Sequence, residues 1–191
     1  NFIASNPQDQ KGKNSINWIA QYMPILYKYA KECDSVIEIG LNQVCSTWAF
    51  LHANPINGVT SVDIDLQRRA YMSSHGLQEN IWLEWAKQSA KKENVNYNAI
   101  ESCSLQIELP EHDLLFLDSE HTYIHLIQEL QLHGNKAQKY IIFHDTTLFA
   151  ELNTAIDEFI SENTHFERLE VFDEPGTPGL TILKNTKNVH E

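Results

Sequence analysis

Asp113-Leu-Leu-Phe-Leu-Asp-Ser-Glu-His-Thr-Tyr123 is an apolar run that stops on an acid. Leu114 to Leu117 read as a strand buried on both faces, and Asp118 marks a C-terminal tip that carries polar chemistry. Glu120 and His121 follow, and then a helical pattern begins. The same design recurs in Tyr140-Ile-Ile-Phe-His-Asp145, in Ser35-Val-Ile-Glu-Ile-Gly40 and in Val59-Thr-Ser-Val-Asp63. In an open parallel sheet the ligand crevice lies outside the carboxyl ends of the strands. The polar tips therefore mark a functional edge.

Working outward, apolar positions at Ile16, Ile19, Met23, Leu26 and Ala30 predict a helix over 15–32, capped by Ser15 and bent or broken at Pro24. Strand one spans 35–39, and Ser46 or Thr47 suits the N-cap of a short helix through 48–51. Strand two is 58–63, and a largely helical stretch over 66–92 is interrupted at Gly76. Strand three is Val95 to Ile100, and strand four, 113–118, leads into a helix over 122–133. Strand five is 139–144, and a helix over 148–163 has Leu148, Leu152, Ile156 and Phe159 at helical spacing. Strands at 166–172 and 180–183 are joined by the turn Glu174–Gly179. Such alternation predicts an α/β fold: a doubly wound, mostly parallel seven-stranded sheet with one antiparallel edge strand. One domain over 1–191 is expected, with 1–32 as an N-terminal arm and helix and 33–184 as the core. Residues 1–13 read as a loose arm and the last eight as frayed.

Composition narrows the function. The 191 residues are 42% hydrophobic and 21% charged, an ordinary globular balance. A net charge of −12 argues against nucleic acid or an anionic membrane as partner. Arg68-Arg69 and Lys91-Lys92 are the tight basic pairs and read as solvated helix ends. Cys33, Cys45 and Cys103 form no Cys-x-x-Cys motif, so free thiols in a reducing compartment are the simplest reading. No apolar run approaches the ~18 residues of a membrane span, and no signal-peptide pattern opens the chain. A cytoplasmic location is the expectation. Asn1 stands where a nascent chain would have methionine, so a trimmed or partial sequence is expected.

The element order with its terminal hairpin resembles the class I S-adenosylmethionine-dependent methyltransferases over about 33–184. Val36-Ile-Glu-Ile-Gly40 with Ser46-Thr47-Trp48 looks like the first motif, a loop that passes under the cofactor. Ser61-Val-Asp63 looks like the second, whose acid binds the ribose. Asp113–Asp118 with His121 and Tyr123, then Tyr140–Thr146, resembles the branch of cephalosporin-hydroxylase-like proteins and sugar O-methyltransferases. In parts of that branch, the acid ending strand four and the polar pair ending strand five hold a divalent metal. The resemblance implies O-methylation of a sugar or another hydroxylated small molecule. It implies S-adenosylmethionine as cofactor, contacted by Glu38, Gly40, Ser46, Asp63, Ser104 and Asp118. It also implies a site for Mg²⁺ or Mn²⁺ at Asp118, His144 and Asp145.

Departures accompany the likeness. Val44 stands where the loop usually has a second glycine, and Ser102-Cys103-Ser104 replaces Gly-Asp-Ser after strand three. They motivate a second reading, a catalytically degenerate module of this fold that binds or scaffolds. A dinucleotide-binding oxidoreductase is the weak third, since no Gly-x-Gly-x-x-Gly follows strand one.

Each candidate has a plainer alternative. Glu38, a carboxylate within an apolar strand, either bonds the Gly40 loop or contacts the methionine moiety. Asp65 competes with Asp63 for the ribose. Two carboxylates and an imidazole suit Mn²⁺, Fe²⁺ or Zn²⁺ better than Mg²⁺, and a set of two histidines and one carboxylate would add His121. Against a metal, Asp118 and Asp145 would cap the following helices and His144 would be a core-edge histidine. His121 and His125, four apart, would share a helical face. His121 or His144 is the candidate general base, with an ordinary pKa near ~6.5. The tryptophans Trp18, Trp48, Trp82 and Trp85 read as core or subunit contacts, and a homo-oligomer is compatible with them.

Overall fold

The computed structural model describes residues 18–187, so Ser15, the arm at 1–13 and the last four residues lie outside it. Its strands are β1 (Ser35–Ile39), β2 (Gly58–Asp63), β3 (Tyr97–Glu101), β4 (His112–Leu117), β5 (Ala137–His144), β6 (Phe166–Phe172) and β7 (Leu180–Asn185). They form one sheet in the order β3-β2-β1-β4-β5-β7-β6. Pairing is parallel from β3 across to β5, and β7 runs antiparallel to both β5 and β6. The doubly wound fold read from the sequence is the one observed. Its antiparallel strand lies one place in from the edge. Leu180 to Leu183 is wholly buried, apolar but for Thr181, which suits an interior strand. β6 leaves Glu167, Leu169 and Val171 exposed and takes the edge.

Alternation along the strands feeds two apolar layers. Val36, Leu114, Phe116 and Ile142 pack with Leu26, Phe50 and Leu83 from α1 (Met23–Ala30), α2 (Cys45–Ala53) and α4 (Ile81–Lys92). Ile39, Leu115, Leu117 and Ile141 pack with Leu130 and Phe159 from α5 (Tyr123–His133) and α6 (Glu151–Glu162). Phe50 meets Phe116 edge-on at 5.4 Å. Fully burying one such ring stabilises by roughly 2–3 kcal/mol.

Several boundaries differ from the sequence reading, each for a local reason. Pro24 opens α1 in its first turn, where a missing N–H costs nothing, and a 3-10 turn at Trp18–Tyr22 precedes it. Ser46 and Thr47 lie inside α2 and cap nothing, because Val44 occupies the N-cap. The stretch 66–92 divides into α3 (Arg69–Ser74) and α4 around Gly76, and the Asn80 side chain accepts from Leu83 N at 3.3 Å. β3 starts at Tyr97, two residues later than expected, and Lys184 and Asn185 belong to β7.

Candidate active site

β1 and β4 are neighbours whose connections leave to opposite sides, the switch point at which such sheets open a crevice. A cleft of about 960 Å³ lies there. Gly40, Ser46, Asp63, Ser104, Asp118, His121, His144 and Asp145 all line it. Glu38 is the one predicted site residue set back from it: its side chain is fully buried beneath the loop after β1.

Glu38 accepts from Ser46 Oγ at 2.5 Å, Thr47 Oγ1 at 2.7 Å and Ser61 Oγ at 2.5 Å. Burial pushes its pKa up, against the pull of those three hydroxyls, to about 7. All three donors lie outside the 40–44 loop, two of them in the first turn of α2 and one on β2. Gly40 has φ +92°, and a Cβ there would lie 2.1 Å from the Asp118 carbonyl oxygen. The strand β4 backbone thus demands the glycine. Val44 holds φ +54° with its side chain wholly buried, a left-handed conformation that a β-branched residue rarely adopts. Asp63 Oδ2 accepts from the amides of Leu41 at 2.8 Å and Asn42 at 3.4 Å, and Oδ1 accepts from Asp65 N at 2.8 Å. Its carboxylate braces the loop it was expected to serve beside.

The tips of β4 and β5 bring together an acid–imidazole cluster. His121 Nε2 lies 2.9 Å from Asp145 Oδ2 and 3.4 Å from Asp118 Oδ1. His144 Nδ1 lies 3.1 Å from Asp118 Oδ1 and 3.3 Å from Asp145 Oδ2. Asp118, His121 and Asp145 each offer a donor atom, all within 4.8 Å of one another. The imidazole of that trio is His121, which the sequence reading offered beside His144 as a second histidine. His144 is 5% exposed and contacts the same carboxylates from the protein side. Hydrogen bonds donated to Asp118 and Asp145 raise His121 to about 9. For His144 burial works the other way, but the two carboxylates outweigh it and carry the pKa to about 9. Asp145 is pulled down to about 2, its burial overcome by the two imidazoles.

His121 and His125 do not share a face, because α5 starts at Tyr123 with Thr122 as its cap. His121 stacks on Phe149, ring centroids 4.6 Å apart and 9° from parallel. His125 Nε2 turns instead to Glu129 at 3.1 Å and Ser104 Oγ at 3.3 Å. The fully buried Glu129 also accepts from Ser119 Oγ at 2.8 Å. Sequence periodicity gave no signal for Phe149, nor for the brace behind Asp145. In that brace the Thr147 and Leu148 amides donate to Pro178 O at 2.9 and 3.0 Å, and Gly179 N donates to Tyr22 OH at 3.2 Å.

No protein-family model and no curated protein sequence matches the chain. Solved structures do. CalS11, a TDP-rhamnose 3'-O-methyltransferase of calicheamicin biosynthesis, superposes with TM-score 0.61 at 16% identity, over 86% of this chain and 77% of its own. The O-methyltransferase NovP gives 0.60 at 12% identity, over 88% and 81%. TomG from Streptomyces achromogenes, an O-methyltransferase in complex with S-adenosylmethionine, gives 0.55 at 12% identity, over 90% and 81%. These likenesses define the fold as that of the class I S-adenosylmethionine-dependent methyltransferases. Among the described residues no helix is long and apolar enough to cross a membrane.

Proposed function

We propose that the protein is an S-adenosylmethionine-dependent O-methyltransferase of a hydroxylated small molecule, with a divalent metal in its acceptor site. One observation carries the reading. A single cleft joins the Gly40–Ser46 loop and Asp63, the cofactor side, to Asp118, His121 and Asp145. The residues suit a metal: two carboxylates and an imidazole, with donor atoms converging within 4.8 Å, fit Mn²⁺, Fe²⁺ or Zn²⁺. Asp118, His121 and Asp145 would hold the ion, which supplies Lewis acidity to an acceptor hydroxyl.

The rest of the chemistry belongs to the chain. Methyl transfer forms a carbon–oxygen bond as the sulfonium carbon–sulfur bond breaks, leaving S-adenosylhomocysteine and releasing the hydroxyl proton. The protein's task is to hold hydroxyl and methyl in line. Ser46 and Asp63 border the cofactor side, and Glu38 fixes Ser46 from below. His121 and His144, raised to about 9, carry protons at neutral pH in the metal-free chain. A cation held by Asp118, His121 and Asp145 would oppose that charge and leave His144 free to accept a proton.

Calorimetric titration with S-adenosylmethionine and S-adenosylhomocysteine, with and without Mn²⁺, tests the proposal. Micromolar binding that weakens in Ser46→Ala and Asp63→Ala is the expected result. Absence of heat at millimolar ligand would leave the second reading, a degenerate binding module. Two observations favour that alternative: the strained, buried Val44 in the cofactor loop, and an Asp63 carboxylate already engaged by loop amides.

A further inference from the structure

The loop at 40–44 is conformationally expensive. Gly40, Asn42 and Val44 all have positive φ, at +92°, +45° and +54°. Glycine and asparagine adopt it readily, but a β-branched residue such as Val44 persists there only where its surroundings over-determine it. One restraint is Asp63, through the Leu41 and Asn42 amides. A second comes from outside the motif. The Arg68 guanidinium donates through Nη1 to Asn42 Oδ1. It also lies over the Tyr71 ring, 4.8 Å from the centroid. Tyr71 in turn stacks on His75 at 4.2 Å and packs against Trp82 at 5.6 Å. A row of planar groups therefore runs from α4 to the side chain of Asn42. Arg68, Tyr71 and Asn42 all line the cleft, and Arg68 is its sole lysine or arginine among the described lining residues.

We infer that Arg68, held flat by Tyr71, is a positioning residue that clamps Asn42 and thereby keeps the 40–44 loop in its ligand-binding conformation. The inference rests on the proposed cofactor role of that loop. Its mechanical part does not. A half-buried guanidinium on an aromatic face is a stiff anchor, and a planar donor fork suits an amide oxygen. Lysine, a flexible point charge, cannot reproduce it.

The experiment has two arms on the full chain. Amide hydrogen exchange of the ligand-free protein at Leu41, Asn42 and Val44 is compared for wild type, Arg68→Ala, Arg68→Lys, Asn42→Ala and Arg68→Ala/Asn42→Ala. About tenfold faster exchange is expected in each variant, with melting temperature little changed and the double variant no faster than the singles. S-adenosylhomocysteine binding should weaken about tenfold in the same non-additive pattern. Unchanged loop exchange in Arg68→Ala, or additive effects in the double variant, would overturn the clamp. A wild type that binds no S-adenosylhomocysteine while the exchange pattern holds would fault the methyltransferase reading and leave the clamp standing.

Discussion

Glu38 shows what a single residue does in this fold. Its neighbours in sequence make β1 an apolar strand, and register places it opposite Ser61 of β2. A buried carboxylate there is tolerable because Ser46, Thr47 and Ser61 all donate to it. Desolvation still wins and holds the pKa at about 7, above the ordinary 4.5. The sign follows from proton linkage. Between about pH 4.5 and 7 the folded chain keeps a proton that the unfolded chain has lost. This contribution is therefore complete below the unfolded pKa and is lost as pH rises through the folded one. Its size is about 3 kcal/mol. Glu38→Gln should remove that slope: denaturant unfolding at pH 5 and pH 8 should differ less in the variant than in wild type. Equal pH dependence in both proteins would mean that Glu38 is ionised in the fold without penalty. Glu38→Leu strands three buried hydroxyls and should cost about 2–5 kcal/mol at either pH. The sequence showed an acid in an apolar strand. It did not show that two of its three partners sit inside α2, because a two-residue shift in the helix start, from Ser46 to Val44 as N-cap, decides whether Ser46 caps the helix or bonds Glu38.

At the scale of elements, strands were legible and their irregular joints were not. Apolar runs ending on Gly40, Asp63, Asp118 and Asp145 located the sheet's functional edge within a residue or so. Helix starts were misplaced at Val44, where a left-handed residue replaces an ordinary cap, and at Pro24, which opens α1 behind a 3-10 turn. The candidate metal trio was half legible. Its acids sit at strand tips, where the pattern is strong, while the choice between His121 and His144 depends on how Asp145, at φ +61°, meets both rings. Element contacts also set the strictest sequence requirement. Gly40 joins β1 to β4 at a backbone-to-backbone approach, so Gly40→Ala forces Asp118 and Ser119 to move. A destabilisation of at least about 3 kcal/mol is expected, from the clash together with an L-residue held at positive φ. Gly76 is the control. It has a similar φ of +70° but nothing within 4 Å of a Cβ. Gly76→Ala should cost only about 1 kcal/mol. Similar losses at both sites in denaturant unfolding would show that backbone strain, not the β1–β4 contact, makes Gly40 necessary.

Across the whole molecule, charge rather than fold separates a specific cation site from general screening. The chain carries 26 acids against 14 lysines and arginines, a net −12. Its lysine and arginine ion pairs are largely superficial, as in Lys28–Glu170, Arg69–Asp65 and Lys87–Glu84. Such pairs contribute at most about 1 kcal/mol each and do not offset the excess. Raising NaCl from about 0.02 to 0.5 M shortens the Debye length from roughly 20 to 4 Å and should relieve self-repulsion. A rise of a few degrees in melting temperature is expected, shared by wild type and Asp145→Asn alike. Mn²⁺ at about 1 mM changes ionic strength too little to act that way. If Asp118, His121 and Asp145 hold it, stabilisation follows site occupancy, about 2.7 kcal/mol at one hundred times Kd. For a domain of this size that is roughly 5–10 °C. The shift should appear in wild type at constant NaCl and vanish in Asp145→Asn. An Mn²⁺ shift of equal size in both proteins would assign the effect to the acidic surface, and the strand-tip cluster would then be a set of ion pairs with no part in holding a metal.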